Sequence, residues 1–220
     1  MKRVCLLVLP LLMIAAVLGA CTATNYRSLD AAPEAETLFS RDVYYRLADS
    51  FYRDMPRCVV VLPPAEAGAA TLLGDMVELS LARHLGQRID RVIGPGERRK
   101  AERELALNTR NHKDRRYLAE RERCPAYLAW RVTTAEDSHF LVWSQKQFGL
   151  EVTLARADDD TILWQAAHST SRSDGGLPLS LLTLPVAAAE AIMFSQDADQ
   201  LPSMIDDVVR RLMVTLPDVR

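Results

Sequence analysis

The chain has 220 residues, 49% of them hydrophobic and 25% charged. That is the balance of an ordinary globular domain, and it excludes disorder, collagen or coiled coil as a description of the whole. Its 27 Lys and Arg face 29 Asp and Glu, a formal charge of −2, too weak a field to hold a polyanion, so nucleic acid is not an expected partner.

Lys2 and Arg3 precede an uninterrupted apolar run over residues 4–17, which ends in Leu18-Gly19-Ala20-Cys21. The run is too short for a stable membrane span and reads as a secretory signal over residues 1–20. Leu18-Gly19-Ala20-Cys21 resembles the lipobox of bacterial lipoproteins. That resemblance implies acylation of Cys21, which becomes the first residue of the mature chain and holds the protein to a membrane. Thr22, rather than Asp, follows the cysteine. By resemblance to the sorting rule of enteric bacteria, this implies the periplasmic face of the outer membrane rather than the inner membrane. The mature chain would keep 200 residues, a charge of −4 (25 basic against 29 acidic), and the cysteines Cys21, Cys58 and Cys124. Its compartment would be oxidising and without free nucleotide. No Gly-rich phosphate loop is present, so nucleotide is not an expected partner.

Residues 21–36 are small and polar with Pro33 and are expected to be a lipidated flexible tether, about 50 Å long when fully extended. Residues 37–220 form one expected α/β domain. Ser40 is expected to cap a helix reaching Asp54, with Val43, Leu47 and Phe51 on one face. Cys58-Val59-Val60-Val61-Leu62, stopped by Pro63-Pro64, predicts a central strand buried on both faces. Residues 70–87 predict a helix with Leu73, Met76, Val77, Leu81 and Leu85 inward and Gly86 near its end. Residues 89–93 predict a short strand closed by Gly94-Pro95-Gly96.

Residues 97–123 are expected to be helical and carry ten Lys or Arg against six Asp or Glu. Leu105, Leu107, Tyr117 and Leu118 are the apolar anchors. The segment reads as a solvated face with locally paired charges, or as a patch for lipid phosphates, cell-wall polymer or an acidic partner. Residues 126–132 predict a third strand, parallel to the first two. A fourth is expected to begin within residues 140–143. Phe148, Leu150, Val152 and Leu154 alternate with small or polar residues, Asp158-Asp159-Asp160 turns the chain, and Ile162, Trp164 and Ala166 alternate back as an antiparallel hairpin.

Residues 177–195 are apolar nearly all round. They read either as a buried helix or as a contact surface for a partner or a second copy, with Leu177, Leu179, Leu181, Leu182, Leu184 and Phe194 as contact candidates. A final amphipathic helix carries Leu201, Ile205, Val208 and Leu212 inward, with Pro202 in its first turn. Asp206 and Asp207 lie near its start and Arg210 and Arg211 nearer its end, suiting the helix dipole.

No catalytic constellation stands out. His84, His112, His139 and His168 fall in no metal-ligand spacing, no serine sits in a nucleophile elbow, and the Asp158–Asp160 run lacks the spaced ligands of a calcium loop. No catalytic residue, metal or cofactor is expected; His168 reads as a packed or edge residue of its strand rather than a ligand.

The order of CVVVLPP, a helix, a short strand, a charged helix, CPAYLAWRV, the hairpin FGLEVTLARADDDTILWQAAHS and a terminal amphipathic helix is similar to an envelope-lipoprotein superfamily. That superfamily includes the curli-assembly lipoprotein, the lipoprotein activator of penicillin-binding proteins, and the first domain of the propeller protein of the Tol system. The hairpin, with Leu163-Trp164 after an acidic turn, carries the likeness most clearly, and the whole spans roughly residues 56–170. The fold expected is α/β (α+β): a three-stranded parallel βαβαβ core extended by an antiparallel hairpin, helices on the sheet faces and a C-terminal amphipathic helix. The function expected is a non-catalytic binding or scaffold subunit of an envelope assembly machine, with an envelope protein or a second copy as partner. A lipid- or glycan-handling accessory of an outer-membrane transport system is the alternative. Cys58 opens the first strand and Cys124 precedes the third. A strand order of 2-1-3 would bring both to one edge, in an oxidising compartment, as a disulfide; two buried thiols are the other reading.

Overall fold

A computed structural model describes residues 24–30, 42–65, 72–140, 143–174 and 199–220. In chain order the elements are β1 (Asn25–Ser28), β2 (Asp42–Leu47), α1 (Asp49–Arg53), β3 (Cys58–Val61), α2 (Leu72–Leu85) and β4 (Arg91–Ile93). There follow α3 (Pro95–Leu105), α4 (His112–Glu122), β5 (Ala126–Phe140), β6 (Trp143–Arg156), β7 (Ile162–Asp174) and α5 (Gln200–Val214). The seven strands form one mixed sheet of order β1-β2-β7-β6-β5-β3-β4.

β3 lies between β4 and β5 and is parallel to both, with Val60 opposite Ile93 and Val61 opposite Leu128. This is the expected 2-1-3 order. All four β3 residues are buried, because a strand paired on both edges and covered on both faces has no solvent side. Alternate residues then feed two cores. Val59 and Val61 join Val77, Leu81 and Leu85 of α2 and Ile205, Val208 and Leu212 of α5 on one face. Cys58 and Val60 join Leu118 and Ala119 of α4 on the other. Each fully buried aliphatic chain contributes roughly 1.5–3 kcal/mol of transfer free energy.

Phe148, Leu150, Val152 and Leu154 alternate inward on β6 as expected, each wholly buried. Trp164 on β7 is wholly buried as well, and its Nε1 donates to Thr215 Oγ1 at 3.0 Å, the partner a buried indole requires. At the β5–β6 register shift between Val132 and Thr134, Gly149 faces Thr133. A Cβ there would collide with Thr133 Oγ1.

Several expectations are corrected. The helix expected from Ser40 to Asp54 is β2 followed by the five-residue α1. Val43, Tyr44 and Tyr45 are β-favouring, and β7 offers a free edge that β2 completes, Val43 opposite His168 and Leu47 opposite Trp164. The flexible tether is interrupted by β1, which pairs in parallel with β2. The charged helix of residues 97–123 is two helices. Ala106 takes a left-handed φ of 53° after α3, and the Asn111 side chain caps α4 by accepting from Lys113 N at 2.9 Å. Within it Tyr117 is 49% exposed rather than an anchor.

The strand expected to begin within residues 140–143 begins at Trp143, at the end of that range, and Phe140 belongs to the strand before it. Ile162 is exposed and Leu163 buried instead, because the β6–β7 register shifts between Leu154 and Ala155. β4 is shorter than expected, and Ile89 is buried from the turn before it. Asp206 and Asp207 lie beyond the first turn of α5, which holds no acidic residue. They tie side chains together: Asp206 meets His84 and Arg83, and Asp207 meets Arg210 and Arg211.

Candidate functional site

In open α/β sheets the crevice outside the carboxyl ends of parallel strands, where the chain reverses, is the common ligand position. Here the chain reverses about β3. Its carboxyl end runs into Pro63-Pro64, and that of β4 into Gly94 and the N-terminus of α3. A crevice of about 200 Å³ lies between these prolines, α2 and α3. At its wall Arg98 and Glu78 are 2% and 3% exposed. Arg98 Nη2 donates to Glu78 Oε2 at 2.7 Å and Nη1 to Glu102 Oε1 at 3.3 Å. Thr109 N donates to the same Glu102 oxygen at 3.3 Å, and the Thr109 hydroxyl donates to it too. Arg98 Nε is buried without a partner among the described residues. Burial pushes the Glu78 carboxyl above its ordinary value, with the Arg98 charge and hydrogen bond opposing it. At the rim Arg99 donates to Asp75 at 2.7 Å and Arg110 to the Pro64 carbonyl at 3.2 Å. The arrangement balances buried charge between a helix on each face of the sheet.

A second cleft, about 420 Å³, lies at the opposite end of the parallel strands. Ala119, Pro125 and Ala157 contribute apolar lining, Arg116, Arg123 and Arg156 contribute cations, and Glu120 and Asp158 contribute carboxylates. Arg116 donates to Glu120 at 3.0 Å and Arg156 to Asp159 at 2.7 Å. Hydrogen bonds from Thr161, joined by Arg156, hold the Asp159 carboxyl well below the ordinary range. Next to it, Tyr127 Oη donates to Asp160 Oδ1 at 2.6 Å. Arg115 donates to the same oxygen at 2.9 Å, and its guanidinium stacks 4.4 Å from the Tyr127 ring centre. Burial, then the bond to Asp160, pushes the Tyr127 phenol up to about 12.

Cys124 lines this cleft and is joined to Cys58 by a disulfide with Cα atoms 4.8 Å apart. His84 Nε2 lies 2.6 Å from Asp206 Oδ1, His112 Nδ1 3.0 Å from Asp160 Oδ2, and His168 Nδ1 2.9 Å from the Asp42 carbonyl. His139 lies on β5. The three are thus dispersed over separate ties. Among the described residues no group of three His, Cys, Asp or Glu side chains is placed to hold a metal. Also among them, no helix is long and apolar enough to cross a membrane. Cys21 and the contact candidates Leu177, Leu179, Leu181, Leu182, Leu184 and Phe194 lie outside the described residues. The Glu78–Arg98–Glu102 group was missed in the sequence. Its signal is a Glu directly after Val77 on the inward side of α2, with Arg98 and Glu102 one helical turn apart.

The class these elements define is a mixed α/β sheet domain covered by helices on both faces. No family model matches the chain, and no curated protein matches it. Among solved structures, the PelC dodecamer from Paraburkholderia phytofirmans is similar at 13% identity, over 78% of this chain and 95% of that one, with a TM-score of 0.44. Lipoprotein GNA1162 from Neisseria meningitidis is similar at 16% identity, over 66% and 100%, with a TM-score of 0.40. A minor lipoprotein from Acinetobacter baumannii is similar at 12% identity, over 76% and 98%, with a TM-score of 0.37. At such scores none of them carries a role across to this chain.

Proposed function

We propose that this protein is a lipoprotein anchored through Cys21 to the periplasmic face of the outer membrane, serving as a non-catalytic binding or scaffold subunit of an envelope assembly machine. The anchor is supported by the basic head, apolar run and Leu18-Gly19-Ala20-Cys21. The observation that carries the non-catalytic reading is how the titratable side chains are used. Arg98 holds Glu78 and Glu102, and His84, His112 and His168 each bond a group on another element. These groups are spent on ties between elements rather than gathered about one reacting centre. Metabolic labelling with a fatty-acid probe, followed by crosslinking in intact membranes, tests both parts. Cys21→Ser is expected to lose the label and membrane retention, and the wild type to form a discrete larger adduct. Unchanged labelling of Cys21→Ser would remove the anchor. An acylated protein that crosslinks to nothing would remove the subunit role.

The second cleft favours the alternative of a lipid- or glycan-handling accessory. Its volume suits a ligand, and apolar lining beside charged side chains of both signs suits an amphiphile with a polar head. Native mass spectrometry of the membrane-extracted protein would show a retained lipid or glycan mass if that reading holds, and the bare polypeptide mass if it does not.

A further inference from the structure

β1 changes how far the domain can stand from its anchor. Were residues 21–36 a free tether, the domain would have tens of ångströms of reach. Instead residues 24–28 are tied to the sheet and to α5. Thr24 Oγ1 accepts from Arg211 Nη1 on α5 at 2.6 Å, and Arg211 Nε donates to Asp207 at 2.8 Å. Asn25 through Ser28 then pair in register with Asp42 through Tyr45, and Asn25 Nδ2 donates to Asp42 Oδ1 at 3.1 Å. Cys21 is three residues before Thr24, a reach of about 11 Å at most.

Every residue of β1 is exposed. Tyr26 is 42% exposed, and the Arg27 side chain, paired through Nε with Asp42 at 3.2 Å, is 57% exposed. A ring with a polar tip next to a long cationic chain suits the boundary between lipid headgroups and water. β5 lies four strands from β1, about 19 Å away at ~4.8 Å per strand. The parallel ridge with its two clefts is therefore at the far side of the sheet from the anchored edge.

Resting on the Cys21 anchor, we infer that the β1 edge is the membrane-facing edge of the domain. Tyr26 and Arg27 lie in the headgroup layer of the leaflet that carries the Cys21 lipid, and the clefts face away from it. The occupant of this surface is the phospholipid headgroup layer itself.

The test uses the full-length acylated protein in vesicles of phosphatidylethanolamine and phosphatidylglycerol. A photoreactive benzoylphenylalanine replaces either Tyr26 or Tyr117, the latter 49% exposed on α4, and lipid adducts are counted by mass spectrometry. The expected result is a several-fold higher lipid-adduct yield from position 26. A flexible Gly/Ser insertion of about fifteen residues between Ala23 and Thr24, which adds a mean span of about 20 Å, is expected to reduce that excess while leaving acylation intact. Equal yields from the two positions in acylated protein would overturn the proposal with the anchor reading intact, whereas an excess that survives the insertion would uphold the β1 edge as membrane-facing through its own side chains. Absence of fatty-acid label on Cys21 would instead show that the anchor reading itself had failed, and the proposal with it.

Discussion

His168 shows how one side chain couples this fold to pH. It sits on the inward face of β7, 4% exposed. Its Nδ1 donates to the Asp42 carbonyl on β2, and its Nε2 is buried without a partner among the described residues. Arg211 and Asp207 face it from α5 and Asp42 from β2. Burial lowers its pKa below the ordinary 6.5, Arg211 adds to that, and the bond to Asp42 opposes it. The unfolded chain therefore takes up a proton near pH 6.5 that the folded chain refuses. This contribution to stability is intact above about pH 6.5 and is lost as pH falls toward the folded value, at no more than about 1.4 kcal/mol per pH unit. His168→Asn keeps a donor where Nδ1 stands and removes the titration. Urea unfolding between about pH 7.5 and 5.5 is expected to show a shallower pH dependence for the variant. An unchanged slope would mean that the dependence arises elsewhere. His168 was legible as a packed or edge strand residue because it continues the two-residue period of Trp164 and Ala166, and the structure decides for packed. Its bond to β2 was not legible, because β2 itself was read as helix.

At the scale of elements, the Cys58–Cys124 bond ties the start of β3 to the start of β5 across adjacent parallel strands. The cysteines are 66 residues apart in sequence. The chain-entropy estimate for a loop of that size is about 4 kcal/mol, an upper figure because native strain subtracts from it. Replacing both cysteines by alanine is expected to lower the urea-unfolding free energy by up to that amount. The oxidised protein is expected to yield no alkylatable thiol at either position before reduction, and two free thiols in the folded, air-handled protein would reject the bond. The strand order behind this pairing was readable, because a continuous β-branched run bounded by prolines has few homes other than a central strand. β2 was unreadable for the opposite reason. Val43, Leu47 and Phe51 fit a helical period, and only the open edge of β7 turns the first two of them into strand.

At the scale of the whole molecule, the Glu78–Arg98–Glu102 group joins α2 on one face of the sheet to α3 on the other. One guanidinium stands between two carboxylates, so its two ends are not equivalent. Arg98→Met leaves both carboxylates without their cation and is expected to cost about 3–5 kcal/mol in urea unfolding. Glu78→Gln leaves Arg98 paired with Glu102 and is expected to cost clearly less. Equal losses would show that the two carboxylates do not share the charge as described. This group escaped the sequence because its members lie on two helices separated by β4. A glutamate inside an apolar helix face signals burial, but nothing local names its partner.

Sequence alone determined what depends on local chemistry. The β-branched run of β3 reads as a buried strand, and the alternation across the Asp158–Asp160 turn as a hairpin. Each is set by residues within a few positions of one another. Tertiary structure decided what depends on pairing at a distance. It added β1 and β2 to the far side of the sheet, fixed Thr24 to Arg211, shifted Ile162 outward by a bulge, and put Glu78 against Arg98. Hydrogen bonds at a sheet edge and charge compensation in a buried layer are satisfied by whichever element arrives there, and no local pattern records which one it is.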